Sequence, residues 1–258
     1  VWQLLFIRHG FLLALCLVWL GPGRTLRALG GSRRPGLQAV RVLAVLAEMA
    51  LFMLAVRHLP LADAHAILAA SPLVVTALAA LWLGEPVGWR RWLAVLIGFA
   101  GILVILRPGF GVFEAAALIP VAGAVLWAVF QVLTRLTART DSGETAFVWL
   151  VAAGFFLPGL AMPWLWVTPA SAGAWALVAA ICVAGALGHW LLLGALRTAP
   201  ASTLQPFGYT LLLWATVWGA AVFGDIPDRW TVLGAFVVVG SGLYTWHRER
   251  SRGRLAAG

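Results

Sequence analysis

The chain has 258 residues, of which 62% are hydrophobic and only 10% charged. A soluble domain carries about 25% charged residues, so this chain lacks the polar side chains to cover a water-facing surface, and that class is excluded. The net charge of +9 comes from 18 arginines and no lysine; without a soluble basic face to carry it, nucleic-acid binding is excluded too.

Long apolar runs recur from end to end, separated by short Gly, Pro and Arg clusters, which reads as an all-α, polytopic helical membrane protein. Nine segments are long enough, or nearly so, to cross a hydrocarbon core: 3–20, 38–56, 61–83, 89–106, 113–135, 145–167, 175–195, 201–223 and 230–246. Cys16 and Cys182 both fall inside apolar runs and read as small core residues, not as a disulfide or metal pair. No cleavable signal peptide is visible. The first residue is Val rather than Met, which suggests a start other than the natural one.

An offset of 140 residues lays "AVRHLP" (55–60) over "ALRTAP" (195–200). In the same register Thr76 meets Thr216, Gly84 meets Gly224 and Glu85 meets Asp225. Five spans separate span 61–83 from its copy at 201–223. That is an odd number, so the copies lie upside down relative to each other, the inverted repeat of many secondary transporters. The halves are residues 1–108 and 109–247, followed by a basic cytoplasmic tail, 248–258. Four spans in the first half face five in the second, so an N-terminal helix is expected to be missing from a five-plus-five parent.

Arginines set the orientation. With the loop 21–37 in the cytoplasm, 14 lie inside: Arg24, Arg27, Arg33, Arg34, Arg41, Arg90, Arg91, Arg135, Arg139, Arg197, Arg248, Arg250, Arg252 and Arg254. Three lie outside (Arg57, Arg107, Arg229), and Arg8 sits within the first span. The positive-inside rule then places the C terminus in the cytoplasm.

Polar residues inside the spans are the candidates for function. Glu48 lies near the middle of span 38–56, where an ionisable group is costly unless it faces a cavity or a partner. Its register position falls on Gly188, beside His189; the alternative is a structural pair with Arg8 or a histidine. Asp63 reads as a helix N-cap, since it aligns with Thr203 and both side chains accept from free amides. Asp63 and His65 are a poor metal pair, because two residues along a helix turns their side chains about 200° apart. His65, opposite Gln205, makes an interhelical hydrogen bond or lines the translocation path. Arg8 binds an anionic group or reaches the membrane surface with its long stem. Gln131, Gln205 and Tyr209 are further candidates for lining a cavity. Trp127, Trp214 and Trp218 offer stacking surfaces, with lipid-facing packing the blander reading. Glu85 and Asp225 each follow a glycine able to end a helix, Gly84 and Gly224. Both acids oppose the helix dipole and are expected to pair with Arg90 or Arg91, and with Arg229. Pro72 is expected to break span 61–83, with Pro206 early in the partner span. Gly98, Gly101, Gly234, Gly240 and Gly242 are spaced for close helix contact.

The run "RHLPLADAHAILAASPLVVTALAALWLGEPVGWRRWLAVLIGFAGILVILRPG" resembles the first half-repeat of EamA-type carriers in the drug/metabolite transporter superfamily, and "FGDIPDRWTVLGAFVVVGSGLYTWHRER" resembles the end of the second. The resemblance implies ten helices in two inverted halves with both termini cytoplasmic, and secondary transport of amino acids, nucleoside-like compounds such as S-adenosylmethionine, or amphipathic compounds. The first helix of that pattern is absent, which implies that these residues alone make an incomplete carrier.

The expectation is therefore an inner-membrane transporter working by alternating access, proton-coupled or exchanging, with a small-molecule substrate and the lipid bilayer as partners. A homodimer stays open beside a monomer. No cofactor and no metal are expected. The absence of HExxH, GxSxG or paired-aspartate motifs argues against an enzyme. A lipid-flipping relative of the same fold and a non-transporting sensor or assembly protein are the alternatives.

Overall fold

The computed structural model describes residues 2–84, 88–107, 115–198 and 209–255, with backbone alone described at 91, 115, 189, 190, 192–198 and 248–255. Among the described residues the regular structure is helical throughout: α1 Trp2–Leu20, α2 Pro22–Gly30, α3 Pro35–Ala55, α4 Leu61–Leu68, α5 Ser71–Leu83, α6 Trp89–Leu106, α7 Leu118–Thr137, α8 Gly143–Gly159, α9 Met162–Leu165, α10 Ala172–Thr198, α11 Thr210–Trp218 and α12 Arg229–Leu255. A single 3₁₀ turn, Ala115–Ala117, precedes α7, and a π-turn, Gly219–Phe223, follows α11. α1, α3, the α4–α5 segment Leu61–Leu83, and α7 are long and apolar enough to cross a membrane, and four shorter apolar helices accompany them. This is a helical membrane bundle.

Several expected spans change shape. Segment 61–83 is interrupted at Ala69–Ala70 and restarts with Pro72 in the first turn of α5. A proline suits that position because the first-turn amides have no intrahelical partner. The expected span 145–167 stops at Gly159, with Pro158 in its last turn. The chain then makes the single turn α9 and an extended stretch, which the Gln3 amide holds by donating to the Val167 carbonyl (2.8 Å) and accepting from its N–H (3.3 Å). The loop 21–37 is largely the helix α2. Its arginines lowered the mean hydropathy and hid an amphipathic pattern, but Thr25 and Ala28 are buried.

The chain divides into two compact units, residues 1–46 with 133–198, and residues 47–132 with 199–258. In the first unit α1 packs antiparallel on α8. Phe6 stacks on Phe155 at 4.7 Å, and the buried His9 lies flat on Gly154, where a methyl group would come within 2.3 Å of the ring. α8 is the segment onto which the 140-residue offset carries α1.

In the second unit α6 packs antiparallel on α12, the most extensive helix contact among the described residues. The offset carries Trp89, which opens α6, onto Arg229, which opens α12. The contacts are reciprocal. Gly98 meets Ser241 and Gly101 meets Val238, and Val238 and Ser241 are the offset positions of Gly98 and Gly101. Such i-to-j and j-to-i contact is what a two-fold axis produces. Near the crossing Gly101 and Gly234 bring the two backbones together. In lipid, where apolar burial does not drive helices together, small residues at a crossing supply close van der Waals contact. Ala70, Leu73, Val95, Ile102 and Val238 fill the space around it. Gly84 and Gly224 end their helices in the left-handed conformation, at φ 65° and 72°.

Candidate functional site

The second unit settles the geometry of Asp63 and His65. His65 bonds through Nδ1 to the Leu61 carbonyl one turn back (3.0 Å) and meets the Phe52 ring edge-on at 4.8 Å. Its hydrogen bond is thus intrahelical, not the interhelical one considered from sequence. Phe52 lies one turn after Glu48, so the two share a face of α3, and His65 is brought to that face. Glu48 is half-buried. Asp63 is not the N-cap of α4. That position belongs to Pro60, which makes no side-chain cap, and Asp63 lies in the first turn facing the Thr231 hydroxyl of α12. Its Oδ1 is buried without a hydrogen-bond partner among the described residues.

The arginine pairing also differs from expectation. Among the described residues the ion pair is formed by Asp228, not Asp225, and its partner is Arg107 rather than Arg229. Arg229 instead lies over the Trp230 ring at 5.4 Å. Asp228 caps α12 by accepting from the Thr231 N–H at 2.8 Å, a role that a three-residue spacing supplies. Burial pushes the Asp228 carboxyl up, but the Thr231 N–H and hydroxyl and the Arg107 guanidinium outweigh it and hold the group below its usual range. Arg107 takes a left-handed conformation, φ 48°, at the end of α6.

Tyr209 lies against α12 with its hydroxyl directly over Gly242; a methyl group there would fall 1.7 Å from Oη. Gln131 is half-buried on α7. Trp127 packs against Phe130 at 5.4 Å on the same helix, while Trp214 and Trp218 are exposed on α11. Gln205, Pro206 and Glu85, and the side chain of His189, lie outside the described residues.

In the first unit the Arg8 guanidinium lies against Gly185 of α10, with Nε 3.4 Å from where a Cβ would stand. It packs inside the unit rather than stretching to the membrane surface. His9 is 1% exposed and bonds through Nδ1 to the Leu5 carbonyl at 2.8 Å.

Sequence reasoning missed a polar network in the first unit. Asp141, in the turn before α8, accepts from Ser32 Oγ (2.5 Å), Gln38 Nε2 (2.8 Å) and the Arg33 N–H (3.0 Å). Desolvation raises its carboxyl, but these bonds and that of Thr140 prevail and hold it at about 2. Gln38 in turn accepts from Arg41 Nε (2.8 Å), and Arg41 donates to the Ala146 carbonyl (2.6 Å). By sequence Arg41 counts among the charges of the cytoplasmic side, at the start of span 38–56. It is buried within α3, and its donors satisfy helix-end acceptors instead of water. Arg24 and Glu144 close the same end with a two-bond ion pair at 3.1 and 2.9 Å.

A helical bundle with ionisable residues in its spans and a reciprocally packed helix pair has the anatomy of a carrier. The sequence profile of the EamA-like transporter family matches residues 1–107 and 115–245. The chain belongs to this family. It is 34% identical over 222 residues to a riboflavin transporter of Vibrio cholerae, covering 84% of this chain and 74% of that protein. A pseudopaline exporter of Pseudomonas aeruginosa is 30% identical, covering 73% and 66%. An S-adenosylmethionine uptake transporter of Rickettsia prowazekii is 26% identical, covering 84% and 74%. A crystal structure shares the fold, with a TM-score of 0.58 and 19% identity over 93% of this chain and 84% of that one. This EamA-family chain is thus a multi-pass membrane transporter, of a family whose named members move small metabolites.

Proposed function

We propose that this chain is an inner-membrane carrier that moves a riboflavin-like metabolite by alternating access between two inverted half-repeats, 1–108 and 109–247, with the C terminus cytoplasmic. The observation that carries the mechanism is the reciprocal, antiparallel packing of α6 on α12 at the 140-residue offset. Two-fold-related halves can exchange conformations, so that inward-open and outward-open states have similar energies.

Riboflavin leads because relatives of that name from Vibrio cholerae, Rhizobium johnstonii and Brucella anthropi are 34%, 32% and 28% identical. Its flat ring system suits tryptophan faces, and its neutral hydroxyl chain suits uncharged partners such as Gln131, Gln205 and Tyr209. Glu48 favours a second reading, S-adenosylmethionine, because a sulfonium cation in a membrane cavity calls for a carboxylate.

In this scheme Glu48 supplies proton coupling or cation binding, supported by His65 and His189, and Arg8 contacts an anionic group. Gly84 with Glu85 and Gly224 with Asp225 shape the helix ends.

The test is uptake by proteoliposomes of labelled riboflavin and labelled S-adenosylmethionine, with and without a pH gradient. Saturable riboflavin uptake supports the first reading and S-adenosylmethionine uptake the second; flux of neither rejects both. Glu48→Gln is expected to abolish the response to the pH gradient while leaving the protein folded. An unchanged response would remove Glu48 from coupling.

A further inference from the structure

A groove of about 360 Å³ runs along the outer face of the α6–α12 pair. Its walls include Trp89, Leu93 and Ile97 of α6 and Gly240 and Tyr244 of α12, with Arg90 at one end. Gly240 makes the opening. Nothing stands within 4 Å of where its Cβ would be, whereas Gly101 and Gly234 along the same pair are in tight contact. The groove is therefore a local gap in an otherwise close-packed seam. Trp89, Leu93, Ile97 and Tyr244 are all exposed, so the trough faces lipid.

Arg90 distinguishes this gap from ordinary lipid-facing surface. It is exposed, lies over the Trp89 ring at 5.3 Å, and makes no ion pair with an acid among the described residues. Beyond Tyr244, α12 continues through His247, Arg248, Glu249, Arg250, Arg252 and Arg254, four arginines to one acid. The same end of the helix pair thus concentrates positive charge. An apolar trough with an exposed guanidinium, a basic helix end and an interfacial tryptophan at its mouth matches one kind of molecule, an apolar chain carrying an anionic head.

We propose that the α6–α12 groove is a specific site for an anionic phospholipid, with an acyl chain along Leu93, Ile97 and Gly240 and the headgroup phosphate on Arg90. A phospholipid is the occupant because the bilayer presents it to this face continuously and at high concentration. Arg90 supplies the charge-assisted hydrogen bonds that a zwitterionic competitor would weaken with its own cation.

The test is native mass spectrometry of the full chain, delipidated in neutral detergent and mixed with equal amounts of phosphatidylglycerol and phosphatidylcholine. One bound phosphatidylglycerol should be preferred about five-fold, the size of one arginine's contribution at a membrane surface. Arg90→Gln should remove the preference. Gly240→Leu, which fills the groove from a position with open space, should remove the bound lipid itself. Both positions are peripheral, and an unchanged far-UV circular dichroism spectrum and melting curve in detergent verify that each variant is folded. Equal binding of the two lipids, an Arg90→Gln protein with unchanged preference, or a Gly240→Leu protein that still retains phosphatidylglycerol would each overturn the proposal.

Discussion

The α6–α12 seam makes a quantitative prediction, because two glycines on one helix have opposite surroundings. A methyl at Gly234 would stand 2.6 Å from the Gly101 carbonyl oxygen and 2.5 Å from Ile105 Cγ1. Carbon normally keeps about 3.3–3.6 Å from a carbonyl oxygen, so the helices must part by roughly 0.7–1 Å. A gap of that size forfeits about a quarter to a half of each van der Waals contact along the crossing. Overpacking of this kind costs about 1–3 kcal/mol. At Gly240 the same methyl meets nothing within 4 Å.

Gly234→Ala and Gly240→Ala share the chemical change and the helix, so the gain in helix propensity, about 1 kcal/mol in water, is common to both. The difference between them isolates the seam. Gly234→Ala should be about 1–3 kcal/mol less stable than Gly240→Ala, or several degrees in Tm. The assay is thermal unfolding in mild detergent, read by far-UV circular dichroism, which follows the helices of both units. Equal Tm values for the two variants would refute the claim that backbone contact at Gly101 and Gly234 holds the pair.

Asp141 predicts a pH dependence. Its pKa is held at about 2, below the ordinary carboxylate value of 3.8, so its stabilisation is fully present above about pH 4 and is lost as pH falls toward 2. Asp141→Asn should cost about 0.5–1.5 kcal/mol at neutral pH, since water can reach the donors left by the lost carboxylate, and should flatten that acid limb in thermal melts. Gly242→Ala places a methyl on the Tyr209 hydroxyl. Its cost should be about 1–3 kcal/mol smaller in a Tyr209→Leu background, measured as a double-mutant cycle by the same thermal melts.

The spans were legible because membrane helices are written in run length. α6 was expected over 89–106 and is found at Trp89–Leu106, with Gly88 ahead of it and Arg107 behind. The 140-residue register was legible because Gly84 and Gly224 carry backbone conformations that few other residues adopt, so they mark homologous turns even in low-complexity sequence. Asp141 was not legible. Its partners lie more than 100 residues away, and no local pattern signals such a meeting. α2 was hidden because two arginines in nine residues resemble a loop until the buried Thr25 and Ala28 show its face. His65 was half legible: its depth followed from the span, but whether its nitrogen bonds to its own helix or to a neighbour depends on backbone geometry.

The register also separates what is duplicated from what is not. The small residues and turns that build the scaffold recur or pack reciprocally: Gly84 with Gly224, and Gly98 and Gly101 with Val238 and Ser241. The ionisable residues inside the spans do not recur, unlike Glu85 and Asp225 at the helix ends. Glu48 falls on Gly188, Asp63 on Thr203, His65 on Gln205 and Arg41 on Ile181. On the proposed mechanism this division has a physical logic. A symmetric scaffold makes the two access states nearly equal in energy, which lets a cargo's modest differential affinity shift the population between them. Ionisable groups placed once, in one half only, then decide what is carried without having to serve two copies of the site. Glu48 is the sharpest case, because its repeat position holds no carboxylate to take over. Its replacement should therefore change coupling while leaving the helix pairing intact.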